Sequence, residues 1–186
     1  MENLTGKVKQ YYINDKLLYK GSLSKGLPSG IGKQYYENDK LCYEGNFLNG
    51  QRSGQGKEYR SNGQLMYEGN WENDKWSGKG TEYYYNNGQL FYEDDYLNDK
   101  LFYEGDYLNG QRSGQGEIYY ENGQLRYKGN FLNDARSGKG TEYYIKGNMM
   151  YEGNYLNGEY EGQGKLYDEN GKVLYDGNWI NGEMVN

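Results

Sequence analysis

Few residues in this chain can do chemistry. There is no His among the 186 residues and a single Cys, Cys42. Imidazole acid–base catalysis and a Cys–His nucleophile are therefore unavailable, and a Cys/His metal site is excluded by count. The ionisable groups that recur are carboxylates: Glu44, Glu68, Glu93, Glu104 and Glu152. Two such groups facing each other are what glycoside hydrolysis uses. The plainer reading is a solvated face whose charge is partly offset by Lys20, Lys128 and the lysines of neighbouring strands. Glycine pairs such as Gly54-Gln55-Gly56 do not lead into a helical pattern, so they are not a nucleotide fingerprint. What is left is tyrosine. Tyr35, Tyr59, Tyr83, Tyr119, Tyr143 and Tyr167 recur at matching positions. A column of this kind stacks on sugars or bases, braces a sheet, or offers a protein partner rigid contact area at low entropic cost. No catalytic residue, metal ligand or cofactor is expected.

The elements that carry these residues are repeats. Leu65-Met66-Tyr67-Glu68-Gly69-Asn70-Trp71 returns at 41–47, 101–107, 125–131, 149–155 and 173–179, with a weaker copy at 17–23 and a damaged one at 90–96. Its tyrosine falls at Tyr19, Tyr43, Tyr67, Tyr92, Tyr103, Tyr127, Tyr151 and Tyr175, in steps of 24 residues interrupted once. Repeats of this length mean stacked units. Within each, Leu65, Tyr67, Gly69 and Trp71 alternate with Met66, Glu68 and Asn70, the period of a strand. Cys42 falls on the Met66 side, as a small apolar filler. A loop such as 49–53 follows. A second strand then opens on Gly54 and Gly56 and closes at Asn62-Gly63, a hairpin signal.

Two-residue turns at these signals set the register. They place Gly56 opposite Gly69, Gly116 opposite Gly129, and Glu117 opposite Lys128. They also set a bulky ring beside a glycine: Gly30 with Phe47, Gly54 with Trp71, Gly114 with Phe131, Gly162 with Trp179. Rings lying across bare backbone account for the glycines. The Leu/Tyr/Gly/aromatic face is expected to be the packed, concave one, with the Tyr35-type column and the carboxylates on the other.

Eight strands of the first type and seven of the second are expected. Around 90–101 lies an irregular half-repeat. Either a turn at Asn98-Asp99 pairs Tyr96 with Leu101 and the sheet continues, or a loop interrupts it. The predicted fold is all-β: an elongated, coiled, single-layer antiparallel β-meander of tandem 24-residue hairpins. Residues 1–186 form one array, stable as a sum of neighbour contacts. The end strands, 6–13 and 173–180, are expected to be edges through which copies self-associate.

Composition agrees. There are 30 Gly, 25 Tyr and one Pro, and only 34% of residues are hydrophobic. Aromatic rings must supply most of the buried surface. A net charge of −6 speaks against a phosphate-backbone binder and against anionic membranes. No apolar run reaches membrane-spanning length. Met1-Glu2-Asn3 leads straight into repeat sequence, so no signal peptide is expected and the cytoplasm is the expected compartment.

Tyr43-Glu44-Gly45-Asn46-Phe47, with Asn49-Gly50 and Gly54-Gln55-Gly56, resembles the MORN repeat. Tyr119-Tyr120-Glu121-Asn122-Gly123-Gln124-Leu125 is similar to its bacterial variant, found in YwqK-type antitoxins. The resemblance covers nearly the whole chain. It implies a non-catalytic scaffold that binds another protein, with toxin neutralisation as one such role and membrane or phosphoinositide association as another. The residues expected to meet a partner are Tyr35, Tyr59, Tyr83, Tyr119, Tyr143, Tyr167, Glu44, Glu68, Glu104 and Glu152. An acidic surface favours a basic partner, such as a basic toxin.

Overall fold

A computed structural model describes residues 5–85 and 100–185. The chain divides into two compact units, Met1–Asp99 and Lys100–Asn186. The first holds β1 (Gly6–Tyr11), β2 (Leu17–Ser24), β3 (Leu27–Tyr35), β4 (Leu41–Leu48), β5 (Gln51–Tyr59), β6 (Leu65–Glu72) and β7 (Lys75–Tyr83). The second holds β8 (Leu101–Leu108), β9 (Gln111–Tyr119), β10 (Leu125–Leu132), β11 (Ala135–Tyr143), β12 (Met149–Leu156), β13 (Glu159–Tyr167), β14 (Val173–Ile180) and β15 (Glu183–Met184). Within each unit every strand pairs antiparallel with its neighbour in sequence. The all-β antiparallel meander is as expected. The damaged copy and the turn at 98–99 lie outside the described residues. The strand β15 was not expected. It covers part of β14 by pairing Met184 with Trp179, so β14 is not an open edge there.

The expected register holds at its centre. Gly56 faces Gly69, Gly54 faces Trp71 and Lys57 faces Glu68, while Gly116 faces Gly129 and Glu117 faces Lys128. It fails beside the turns, because the two kinds of connection are the reverse of those expected. The two-residue turn is Asn49-Gly50, with φ of 50° and 87° between the paired Leu48 and Gln51. Two consecutive positive φ values are what a tight hairpin matching the strand twist requires, and Asn-Gly supplies them. What reads as a loop at 49–53 is thus a turn followed by strand. The connection at Asn62-Gly63 is the longer one. Gly63 N–H donates to Arg60 O and Arg60 N–H to Gln64 O, both at 2.8 Å, and Gly63 has φ of 95°. This is a three-residue loop with a glycine bulge. The extra residue pairs Tyr59 with Leu65. It also breaks the alternation after the turn. The Arg112 guanidinium lies 4.8 Å from the Phe102 ring and 5.0 Å from the adjacent Tyr103 ring. Cys42 likewise sits 3.6 Å from Arg52 Nη2, on the buried-ring side rather than away from it.

The core is a row of tyrosines lying on paired glycines. Tyr43, Tyr67, Tyr103, Tyr127 and Tyr151 are fully buried. A Cβ on Gly45 would stand 2.5 Å from Tyr43 Oη, and one on Gly56 would stand 2.5 Å from its Cζ. The ring therefore fills the space where two side chains are missing. Its hydroxyl is satisfied locally, donating to Asn46 O at 3.0 Å, as Tyr67 does to Asn70 O at 3.0 Å. Burial pushes the Tyr43 hydroxyl up to about 12. This corrects the sequence reading of the glycines. Phe47 does face Gly30 and Trp71 does face Gly54, but neither ring explains its glycine. Gly30 has open space at Cβ, and the nearest neighbour of Gly54 is Asn46 at 3.6 Å. Their φ values of 76° and 67° do explain them, because a β-carbon is strained there.

Phe47 and Trp71 act as links. Phe47 meets Tyr19 and Tyr43 edge-on at 5.4 and 5.1 Å, and Trp71 meets Tyr43 and Tyr67 at 5.1 and 5.6 Å. In the second unit Phe131 bridges Tyr103 and Tyr127, and Tyr155 bridges Tyr127 and Tyr151. Edge-to-face pairs of this kind contribute about 0.5–1.5 kcal/mol each beyond area burial.

Gly56→Ala drives a methyl into Tyr43 and is expected to cost about 3 kcal/mol. Gly54→Ala meets no ring and is expected to cost about 1–2 kcal/mol of backbone strain. Urea unfolding of the two variants checks this; equal costs would mean that the ring does not occupy the glycine pair.

Candidate functional site

The sides of the Tyr43, Tyr67, Tyr103, Tyr127 and Tyr151 rings away from the glycines are closed by planar groups. Arg52 lies over Tyr43 with its guanidinium carbon 4.8 Å from the ring centre, and Arg136 lies over Tyr127 at 5.4 Å. Trp76 stacks on Tyr67 at 4.4 Å and Tyr160 on Tyr151 at 3.7 Å. A carboxylate ties successive caps together. Glu58 accepts from Arg52 Nη1 at 2.7 Å and from Trp76 Nε1 at 3.2 Å. Glu142, only 7% exposed, accepts from Arg136 Nη1 at 2.9 Å and Tyr160 Oη at 3.0 Å. Each of these carboxylates takes a donor on both oxygens, an arrangement that holds the caps in place. The caps escape a reading of the sequence because they fall where it suggests a loop. The available signal is their own 24-residue step: Arg52 and Trp76, then Arg112, Arg136 and Tyr160.

The described residues expected to meet a partner lie, within each unit, on the opposite face. They arrive there tied to one another. Tyr59 Oη donates to Glu44 Oε1 at 2.8 Å, and Tyr167 Oη donates to Glu152. Tyr119 reaches Glu117 on its own strand, not Glu104, which stands directly across from Glu117. Glu44 also takes Lys33 Nζ at 2.7 Å, and Glu68 takes Lys57 Nζ at 2.9 Å. The backbone of this column serves too. The carbonyls of Tyr35, Tyr143 and Tyr167 accept from the hydroxyls of Tyr12, Tyr120 and Tyr144 at 2.7–2.8 Å, and Arg60 donates to Tyr83 O at 3.3 Å. Each bond spans 23 residues and joins one repeat to the next. Glu93 lies outside the described residues.

Two kinds of row cross this face. One is ionic: Lys33, Glu44, Lys57 and Glu68 are successive partners on neighbouring strands. The other is made of amides. Gln55 donates to Asn70 Oδ1 at 2.6 Å and Gln163 to Asn178 Oδ1 at 2.8 Å. The glycine pairs between the rows leave recesses. One in the second unit has a volume of about 850 Å³ and is lined by Lys128, Asn130, Thr141, Glu152, Asn154 and Lys165. One in the first unit, of about 300 Å³, has Lys33, Glu44, Asn46, Gln55, Lys57 and Glu68 around it. The open recesses thus lie on the side opposite the aromatic face. The reason is that the caps fill the aromatic side. Chemically the open face offers amides, ammonium groups and carboxylates to a polar ligand. Among the described residues no group of three or more His, Cys, Asp or Glu side chains could hold a metal ion.

The unit that repeats is now defined: a buried tyrosine, a glycine two residues on, an Asn-Gly or Asn-Asp turn, a capping residue and a second glycine. The family model for the MORN repeat matches residues 43–65, 67–89, 103–125, 127–149, 151–173 and 175–185. The chain belongs to the MORN repeat family. A MORN repeat variant matches residues 28–49. No curated protein matches the chain. Every MORN match opens on a ring of the tyrosine row, from Tyr43 to Tyr175, so the family's period and the packing period are the same.

The open face of these MORN repeats titrates. Lys33, and after it the Tyr59 hydroxyl, hold the Glu44 carboxyl below the usual carboxylate range. A depressed folded value means that the pair contributes above the unfolded pKa, about 4.3, and that the contribution is lost as pH falls through the folded value. Lys33→Ala is expected to return Glu44 towards its ordinary value, and Tyr59→Phe to return it part of the way. Carbon NMR titration of Glu44 reads both; an unchanged midpoint in both variants would contradict this geometry.

Proposed function

We propose that this MORN array is a non-catalytic module that binds another protein along the open face of each unit, which carries Tyr35, Tyr59 and Glu44 in the first and Tyr119, Tyr143, Tyr167 and Glu152 in the second. The observation that supports the reading is the bonding of that column. Tyr59 and Tyr167 are held by carboxylates one strand away, and one repeat hooks to the next through a tyrosine hydroxyl, or at Arg60 a guanidinium, on a backbone carbonyl. Rings fixed in advance lose little entropy on contact. Recognition of a long partner would then grow repeat by repeat. The net charge of −6 favours a basic partner through steering. Neutralisation of a basic toxin is the role this fits best, by resemblance to the antitoxins of the variant family. Association with acidic lipids is the competing reading, and the same net charge speaks against it.

A pull-down from the native cell at low and high salt tests the proposal. A basic protein is expected to be retained at low salt, with retention about ten-fold weaker after Tyr59→Ala or Tyr167→Ala. Retention of no protein, equal retention by the variants, or co-sedimentation with acidic vesicles in place of protein binding would overturn it.

A further inference from the structure

The ionic row on the open face of the first unit alternates in sign from Lys33 on β3 to Glu68 on β6, but not at its start. Lys9 on β1 stands directly across from Lys20 on β2, and Lys20 directly across from Lys33 on β3. Alternation begins only at Glu44. Like charges facing each other across strands destabilise a sheet, and a Glu at position 20 would have continued the pattern. Lys33 leans on Glu44 at 2.7 Å. Lys7, Lys9 and Lys20 are exposed and have no ion-pair partner among the described residues. The imbalance extends along the chain. Residues 5–33 carry six lysines against one acid, Asp15, in a protein whose net charge is −6.

A second feature coincides with the row. Ile31 is 77% exposed and stands where the other repeats place Gln55, Lys79, Gln115, Lys139 and Gln163. It is a β-branched apolar side chain among ammonium groups. Lys7, Lys9, Lys20, Ser22, Ile31 and Lys33 surround a recess of about 460 Å³, within the roughly 300–1,000 Å³ of small-ligand sites.

From this juxtaposition we infer that β1–β3 form a docking site for an acidic segment of a partner protein, one that carries carboxylates on either side of an aliphatic residue. The unbalanced lysines would pair with the carboxylates, and Ile31 with the aliphatic side chain. The repulsion within the row, a cost to the free protein, is relieved when the segment binds. Like charges also face each other at Glu104 and Glu117, but in the first unit the breach falls only at these lysines, and a local breach of a pattern is what a functional surface looks like. The recess admits a side chain and a stretch of backbone, which a flat bilayer cannot insert. A bilayer would also meet the field of the whole acidic chain, whereas a short segment meets the lysines within a Debye length, about 10 Å at 0.1 M salt.

The test uses the full chain and a fluorescein-labelled peptide of alternating Glu and Leu, with a Gln and Leu peptide of equal length as control. Anisotropy is expected to show the acidic peptide binding at least about ten-fold more tightly than the control. Lys20→Glu restores the sign alternation of the row, so it is expected to raise the melting temperature while weakening the acidic peptide at least about ten-fold. Loss of binding in a more stable protein cannot be misfolding. Equal binding of the two peptides, or no effect of Lys20→Glu, would overturn the proposal. So would binding to phosphatidylserine vesicles that Lys20→Glu abolishes while the peptide fails to bind. The measurement reads the lysine row alone and stands or falls apart from the partner proposed for the tyrosine face.

Discussion

A tyrosine ring can lie flat on a β-sheet only where the sheet has no side chains beneath it. The glycine pairs Gly45 with Gly56 and Gly69 with Gly80 create those places, and Tyr43 and Tyr67 occupy them. Much else follows from the contact. A ring that lies flat brings its hydroxyl over its own strand, where the carbonyl three residues on accepts it. It also presents its other face, which a guanidinium or second ring can cover. A chain with only 34% hydrophobic residues thereby buries six of its described tyrosines completely within single sheets. The core is a stack of backbone, ring and cap, repeated.

The stack also explains where the open surface is. With one side of the sheet closed by rings and caps, the other is bounded only by short polar rows and by the glycines between them. The recesses found there need no separate device. They are the reverse side of the side-chain-free positions that the rings require. The same backbone positions thus serve stability on one face and accessibility on the other.

The step of 24 residues, the strand alternation and the pairing of Gly56 with Gly69 were all legible in the sequence, because each depends on local pattern. The two turns were not told apart. Asn49-Gly50 and Asn62-Gly63 are the same dipeptide, and only the pairing of Tyr59 with Leu65 distinguishes a three-residue loop from a two-residue one. The equivalent extra residue between Tyr35 and Leu41 moved Cys42 to the side of Arg52. Reading the tight turn at 49–50 as a longer loop left Arg52 and Trp76 looking like loop residues. Two glycines of one Gly-x-Gly motif had different causes, since Gly54 answers to backbone conformation and Gly56 to the ring, and composition cannot separate them. On the candidate site, the face shared by Tyr59 and Glu44 was readable from parity, but their hydrogen bond was not. The lysine row was invisible for a different reason. Residues 7, 9, 20 and 33 are scattered in sequence and become neighbours only when three strands pair.

The central claim is that a tyrosine ring sits directly on each glycine pair, and proton NMR tests it most directly. A ring face held against backbone shields the protons beneath it. The account predicts that the α-protons of Gly45, Gly56, Gly69 and Gly80 resonate well upfield of those of Gly54 and Gly78, and that the shifts of Gly45 and Gly56 collapse in Tyr43→Leu. Ordinary shifts for all these glycines in the wild-type protein would contradict it.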